Sequence, residues 1–108
     1  MPSGRLYVAM FNDSLAGCVA LREINKELCE MKRLYVRKQY RNFGIGRALV
    51  EKIINDAGNI GYGKILLDTL PSMRDAISLY KKLGFAETQP YCNNPNGDFV
   101  YLELNLCS

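Results

Sequence analysis

The chain has 108 residues, of which 48% are hydrophobic and 23% are charged, and its formal net charge is +3. These values are ordinary for a globular protein, so we expect a single domain over residues 1–108 and exclude a disordered or low-complexity chain. The sequence has no apolar run of about 18 residues and no basic and then apolar leader, which predicts neither a membrane span nor a secretory signal. We therefore expect a cytoplasmic protein.

The sequence contains no histidine, and its four cysteines show no paired C-x-x-C spacing. A zinc site is therefore disfavoured, and nucleophile pairs of the Ser-His or Cys-His type are excluded. We expect the cysteines to be reduced and to act as small core or surface residues. They are Cys18, Cys29, Cys92 and Cys107.

Three extended runs open the chain, over Arg5 to Phe11, Leu15 to Arg22 and Leu28 to Val36. The turn formers Asn12-Asp13-Ser14 separate the first two runs, and the polar break Ile24 to Glu27 precedes the third. Turn residues between apolar, partly β-branched runs are typical of antiparallel strands. The pattern predicts a three-stranded meander.

A helix over Ile45 to Asn59 follows, because apolar residues recur at helical spacing. Its predicted buried stripe contains Ile45, Leu49, Ile53 and Ala57, with Val50 and Ile54 beside it. The next run, Lys64 to Leu70, is almost continuously apolar. It predicts a strand buried on both faces and parallel to the strand before the helix.

Pro71 and Ser72 are predicted to open a second helix, which Gly84 ends. Its apolar side is formed by Met73, Ala76, Ile77, Tyr80 and Leu83. Phe85 begins another extended segment, and a polar loop, Asn93 to Asp98, separates that segment from a last strand over Phe99 to Leu106. The order of three strands, helix, strand, helix and two strands predicts a mixed α/β domain.

The stretch Gln39 to Ala48 forms the turn between the third strand and the first helix. Its glycines allow a tight backbone and the close approach of a ligand, and the free amides of a helix start favour an anion. Basic residues cluster around it, which suits a polyanionic small ligand better than a nucleic acid. They are Lys32, Arg33, Arg37, Lys38, Arg41 and Arg47, with Lys81 and Lys82 further on.

Three kinds of phosphate-binding turn have glycines in a similar pattern, and their spacings differ. A Walker A loop requires Lys and then Ser or Thr after its last glycine, whereas Gly46 is followed by Arg47-Ala48. A dinucleotide-binding turn has a third small residue where this chain has Leu49, although Asp68 lies at a tolerable distance for the ribose. The arrangement that remains is Arg-x-x-Gly-x-Gly after a strand ending Leu34-Tyr35-Val36.

This turn resembles the coenzyme A pyrophosphate loop of the GNAT superfamily of N-acetyltransferases. Residues 76–85, Ala-Ile-Ser-Leu-Tyr-Lys-Lys-Leu-Gly-Phe, resemble a second motif of that family, Ala-x-x-Leu-Tyr-x-x-x-Gly-Phe. The two motifs occur at the matching distance, and the resemblance covers nearly the whole chain from Leu6 onward. It implies the GNAT mixed-sheet fold and acetyl-CoA as the cofactor, with direct transfer of the acetyl group to a primary amine of a small molecule or peptide.

The resemblance also implies which residues bind and react. The pantetheine arm would bond backbone groups of Leu34 and Val36 in a gap between the two parallel strands, and Tyr80 would be the acid that protonates the departing thiolate. The pyrophosphate would meet the backbone amides of residues 41–47. These are Arg41, Asn42, Phe43, Gly44, Ile45, Gly46 and Arg47.

A base must take the proton of the amine, and Glu30 is the candidate. Simple two-residue alternation places Glu30 on the same side of its strand as Leu34 and Val36. A carboxylate within an apolar strand is informative because burial favours its taking up a proton. Asp68 is the reserve candidate and Glu103 a weaker one.

Two departures from the family pattern affect these expectations. Met73 stands where many members have an asparagine that bonds the coenzyme arm, and no counterpart of the usual first strand and two helices precedes the opening hairpin. We therefore expect either a homodimer that buries the hairpin or a truncated form of a longer protein. The alternatives to an enzyme are a coenzyme A-binding module without turnover and a nucleotide-binding module.

Overall fold

The computed structural model describes residues 4–91 and 98–106. The strands are β1 (Gly4–Phe11), β2 (Ser14–Glu23), β3 (Leu28–Val36), β4 (Lys64–Thr69), β5 (Ala86–Glu87) and β6 (Val100–Asn105). The helices are α1 (Ile45–Ile60) and α2 (Arg74–Lys82), and a short 3₁₀ helix spans Lys38–Tyr40. The predicted order of elements is confirmed. Most of the predicted Asn93 to Asp98 loop, together with Cys92 and Cys107, lies outside the described residues.

The strands form one mixed sheet in the order β1-β2-β3-β4-β6-β5. Within residues 4–91 and 98–106, only β3 and β4 pair in parallel, and α1 makes the connection between them. The other neighbours are antiparallel, and β1, β2 and β3 form the predicted meander. The mixed α/β architecture expected from the sequence is therefore confirmed.

A two-residue turn closes the β1–β2 hairpin. Phe11 pairs with Ser14, and the two residues between them, Asn12 and Asp13, have φ angles of 50° and 66°. Asn and Asp tolerate this left-handed backbone better than other non-glycine residues, and turns with two positive φ angles match the twist of a hairpin. The local sequence thus fixes the register of β1 and β2 next to the turn, and a bulge shifts that register by one residue between Met10 and Ala9.

One face of the sheet carries the main core against α1. The buried residues of α1 are Leu49, Val50, Ile53 and Ala57, on the predicted stripe. Three consecutive residues of β4, Ile65, Leu66 and Leu67, are also buried, which confirms a strand covered on both faces. Across the described residues no helix is long and apolar enough to cross a lipid bilayer.

The second helix differs from its prediction at its start and on one side. Pro71 and Ser72 lie in a turn in which the amide of Met73 donates to the carbonyl of Leu70, and α2 begins only at Arg74. Met73 is 48% exposed, and Ile77 lies on an outer groove instead of in the core. The buried side is formed by Ala76, Leu79, Tyr80 and Leu83. The prediction was wrong for Met73 and Ile77, because a nine-residue helix on a sheet buries a narrow stripe.

Candidate active site

The parallel strands β3 and β4 pair over a short distance only. Their ladder consists of Leu28 with Lys64, Cys29 with Ile65 and Glu30 with Leu66. Beyond Leu66, β4 continues along β6 as far as Thr69. Within the part of the chain that the structure describes, the edge of β3 from residue 31 to residue 36 therefore has no partner strand on its β4 side. The result is a wedge-shaped opening whose closed end is at Glu30.

A bulge in β3 changes which face its side chains occupy. Arg33 has a φ angle of 59°, and the register with β2 shifts between Cys18 and Ala20. An extra residue in one strand reverses the alternation of side chains beyond it. Cys29 and Met31 lie in the core before the bulge, and Leu34 and Val36 pack against the same core after it.

The bulge corrects one prediction about Glu30. Because Leu34 and Val36 face the core that α1 covers, and Glu30 alternates with Cys29 and Met31, Glu30 lies on the opposite face of the sheet. The prediction that all three side chains share one face is wrong, because simple alternation does not allow for the bulge. Glu30 is instead the cross-strand neighbour of Arg22 on β2.

The turn after β3 exposes a row of backbone donors. Arg41 extends from the 3₁₀ helix, and its amide donates to the carbonyl of Lys38 at 3.3 Å. In the described residues, no acceptor pairs with the amides of residues 42–47, and the first amide bond of α1 runs from Ala48 to Gly44. Six amides at the start of a 16-residue helix are thus available to an anion. The amide of Arg41, which was expected to join them, is already bonded.

The backbone requires glycine at position 44 of this turn but not at position 46. Gly44 precedes α1 with a φ angle of 77°, a conformation that other residues rarely adopt. Gly46 has no positive φ angle, and a Cβ atom there would lie 3.5 Å from Val36 Cγ2 and 3.9 Å from Leu79 Cδ2. Those are ordinary van der Waals distances, so the fold itself does not require glycine at position 46.

The guanidinium groups of the two arginines in the turn each donate a hydrogen bond within the protein. Arg41 Nε donates to the carbonyl of Val36 at 3.0 Å, and Arg47 Nε donates to Glu51 Oε2 at 3.3 Å along the surface of α1. The first contact ties the turn to the end of β3. The amides and the helix start can attract an anion at this turn, and the arginines, which keep their charge, add to that attraction.

Tyr80 lies near the end of α2 and is 5% exposed. The amide of Phe85 donates to the carbonyl of Tyr80 and the amide of Gly84 to that of Lys81, with Gly84 at a φ angle of 106°. This is a Schellman cap, in which the rings of Tyr80 and Phe85 also meet at 5.7 Å. The spacing Tyr-x-x-x-Gly-Phe thus has a structural reason as well as a chemical one.

The environment of Tyr80 favours the protonated form of its hydroxyl. Burial raises the pKa of Tyr80 to about 12, so the group is neutral at physiological pH. Among the described residues, none hydrogen-bonds this hydroxyl, and no fully buried side-chain oxygen lacks a partner. The hydroxyl therefore retains access to solvent and can donate to an incoming group.

Glu30 is a buried carboxylate with a dense set of partners. Its side chain is 1% exposed. Oε1 of Glu30 accepts hydrogen bonds from Arg22 Nη2 at 2.6 Å and from Arg22 Nε at 3.1 Å. Oε2 accepts a hydrogen bond from the Tyr91 hydroxyl at 2.6 Å. The ammonium of Lys32 lies 3.7 Å from Oε2. A carboxylate can accept about four hydrogen bonds, so one position on Oε2 remains for a further donor.

Sequence reasoning missed Arg22 and Tyr91. Counting residues back from the hairpin turns could have placed Arg22 beside Glu30, since antiparallel partners share a face. Tyr91 follows β5 and reaches Glu30 across 61 positions of sequence, with its ring edge on Tyr101 at 5.5 Å. No local pattern in the sequence signals that contact.

The two other carboxylates are in different settings. Glu103 accepts from Lys64 Nζ at 3.2 Å, and a hydrogen bond from Thr88 together with the Lys64 charge holds the pKa of Glu103 below its usual range. Asp68 is half-buried on β4, opposite Tyr101. Neither is as deeply buried as Glu30.

Comparisons with known proteins agree on one family. The model of the acetyltransferase (GNAT) family matches residues 1–85. An uncharacterized N-acetyltransferase of Schizosaccharomyces pombe is 41% identical over 97% of this chain and 66% of its own length. One of Dictyostelium discoideum is 34% identical, with coverages of 95% and 76%. The chain thus spans about two thirds to three quarters of these relatives.

The fold agrees with solved structures as well. A GNAT family acetyltransferase from Elizabethkingia anophelis, with acetyl-CoA bound, has a TM-score of 0.83 to this chain at 31% identity, and the match covers 95% of this chain and 76% of the other. The family match, the relatives and this structure are mutually consistent. The chain therefore belongs to the GNAT family, whose members are acetyltransferases that use acetyl-CoA.

Proposed function

We propose that this chain transfers an acetyl group from acetyl-CoA to a primary amine by direct attack of the amine on the thioester. One combined observation carries the proposal: among the described residues, six backbone amides at the start of α1 have no acceptor, and the strand edge directly before them has no partner strand. A diphosphate fits the first feature, and the amides of a pantetheine arm fit the second. Both belong to one cofactor.

The residues of the turn fit a diphosphate in detail. Asn42 to Arg47 would donate their amides to its oxygens, and the missing Cβ of Gly46 would allow those oxygens close to the helix start. The arm would pair with backbone groups of Leu34 and Val36. The carbonyl of Val36 already accepts from Arg41, but a carbonyl has two lone pairs and can accept again.

Acetyl-CoA supplies an acyl group on a thioester, with a thiolate as leaving group. Tyr80 would donate its proton to that sulfur, since its hydroxyl is neutral and unpaired among the described residues. The cap formed by Gly84 and Phe85 holds the Tyr80 ring in place. Proton donation of this kind accelerates a reaction by roughly 10²- to 10⁴-fold.

Glu30 would accept the proton that the amine loses. Its place at the closed end of the wedge supports this role, as does the open position on Oε2. Arg22 and Tyr91 would hold the carboxylate in one orientation. Since Glu30 faces away from α1, the amine would approach from the sheet face opposite the helix, and would meet the thioester through the opening.

The acceptor is an amine on a small molecule or a peptide, and thiol release from acetyl-CoA in the presence of a panel of amines tests the proposal. Release that depends on one class of amine supports it. Binding of coenzyme A in calorimetry without release for any amine would favour the alternative, a coenzyme A-binding module without turnover. Preference for NAD or ATP over coenzyme A in a thermal-shift screen would instead indicate a nucleotide-binding module.

We also propose a homodimer that buries the outer face of the hairpin. Leu6 and Val8 alternate with the core residues of β1 and are 70% and 54% exposed. Val8 pairs with Cys18, which pairs with Tyr35, itself 53% exposed, so an apolar row crosses three strands. A stable dimer needs about 800 Å² from each partner, and a second copy could supply a matching row.

Light scattering tests the dimer. Val8→Lys should give a monomer, whereas a lysine at Ile60, which is 45% exposed at the far end of α1, should leave the assembly unchanged. A wild-type monomer at high concentration would contradict this part of the proposal. It would leave the proposed reaction unaffected.

A further inference from the structure

Three aromatic rings meet beside the glycine turn. The ring of Phe11, at the end of β1, lies 5.4 Å from the ring of Tyr40 and 5.4 Å from that of Phe43. Phe43 is 61% exposed, and Phe11 is 36% exposed. We call these three residues the aromatic cluster.

The packing of the fold does not account for this exposure. Phe43 contacts the ring of Phe11, while most of its own surface faces water. The φ angle of Phe43 is not positive, so the backbone at this position places no special demand on the residue type. A large exposed apolar surface inside a ligand-binding turn is typical of a binding surface.

The position of the cluster relative to the turn is informative. The sheet order places β1 and β2 on one side of β3 and the opening toward β4 on the other. Phe11 belongs to β1, so the cluster lies on the side of the turn that faces away from the opening. A cofactor whose diphosphate sits on the amides of residues 42–47 and whose arm enters the opening would direct its other end toward this side.

We propose that the aromatic cluster stacks the adenine base of coenzyme A, with Phe43 as the main contact. The inference rests on the proposed function. In coenzyme A one ribose separates the adenine from the diphosphate, so a base bound here needs no long connection. Stacking on aromatic rings is a common way to bind a base without hydrogen-bond readout.

Two exposed basic residues next to the cluster in sequence have charge complementary to the phosphate on the ribose of coenzyme A. Arg37 donates to the carbonyl of Leu15 and Lys38 begins the 3₁₀ helix, and neither has an acidic partner among the described residues. The 3′-phosphate on the ribose of coenzyme A carries negative charge. Arg37 and Lys38 can attract that phosphate while the base lies on the rings.

Calorimetric titration of Phe43→Ala tests the proposal. Coenzyme A and dephospho-coenzyme A both carry the adenine, and each should bind roughly 5- to 100-fold more weakly than to wild type. Binding of 4′-phosphopantetheine, which lacks the adenosine, should change by less than about 2-fold. Phe43→Tyr should bind coenzyme A about as tightly as wild type, and the control Ile60→Ala, at another exposed apolar position at the far end of α1, should leave affinity unchanged.

The adenine protons provide a second measurement. In NMR their resonances should shift upfield on binding to wild type, because a stacked ring shields them, and the shift should shrink with Phe43→Leu. An equal loss of affinity for all three ligands would show that Phe43 maintains the conformation of the turn that carries the free amides. That result would overturn the proposal. Unchanged affinities would overturn it as well.

A competing location for the adenosine is the basic groove on the outer face of α2. Arg74, Lys81 and Lys82 line this groove. If Phe43→Ala has no effect while Lys82→Ala weakens coenzyme A more than dephospho-coenzyme A, the adenosine lies there and the cluster is not its site. Failure of wild type to bind any of the three ligands would instead contradict the proposed function.

Discussion

Replacing Gly46 with alanine separates what the fold needs from what the cofactor needs. Gly46 is the second residue of α1, without a positive φ angle, and an added Cβ would find only ordinary contacts with Val36 and Leu79. Alanine in a helix is about 0.5–1 kcal/mol better than glycine. For a domain of this size that gain raises the midpoint of thermal unfolding by about 2–8 °C.

The same methyl group should weaken binding of coenzyme A. It would lie 3.5 Å from Val36 Cγ2, within the row of free amides and beside the strand end proposed for the pantetheine arm. It would therefore take space from the cofactor and push the anion away from at least one donor. A hydrogen bond to a charged group contributes about 1.5–3 kcal/mol, which corresponds to a loss of affinity of about 10- to 150-fold. Gly46→Ala should therefore be more stable than wild type and a poorer binder.

Gly58→Ala is the matched control. Gly58 lies exposed in the same helix, without a positive φ angle and with no atom within 4 Å of an added Cβ. It should gain stability in the same way and bind coenzyme A normally. Differential scanning calorimetry and titration calorimetry measure the two effects. A Gly46→Ala variant with wild-type affinity, or with a lower unfolding midpoint, would refute this account of the turn.

Three further outcomes are expected. Tyr80→Phe should leave folding and coenzyme A affinity intact and lower kcat by about 10²- to 10⁴-fold in steady-state assays; an unchanged kcat, with chemistry limiting, would exclude the proton donor. Gly17→Ala should destabilise by about 1–3 kcal/mol in urea unfolding, because its Cβ would lie 2.6 Å from the carbonyl oxygen of Tyr35; wild-type stability would contradict the close approach of β2 and β3. The hydroxyl of Tyr7, and then nearby cations, lower the pKa of Asp56, so this carboxylate stabilises the fold above its unfolded pKa and the gain is lost as pH falls through the lowered value. Asp56→Asn should therefore be less stable than wild type at pH 7, and urea midpoints should converge below roughly pH 4; a constant difference would exclude the linkage.

The sequence alone determined most of the elements and the location of the glycine-containing turn proposed to bind the cofactor. Hydrophobic periodicity predicted the buried stripe of α1, and an unbroken apolar run predicted β4. The spacing Arg-x-x-Gly-x-Gly after a strand predicted the turn that precedes α1. These features are readable because each depends on residues a few positions apart, whose side chains share a face or whose backbone angles are locally restricted.

Only the tertiary structure decided the surroundings of the proposed base. The positive φ angle of Arg33 inserts a bulge that reverses alternation, so Glu30 faces away from Leu34 and Val36. Arginine has no intrinsic preference for that conformation, so the bulge depends on how β3 pairs with β2. Tyr91 reaches Glu30 because the sheet brings distant segments together. Contacts across strands follow from topology and register, which the local pattern of residues does not contain.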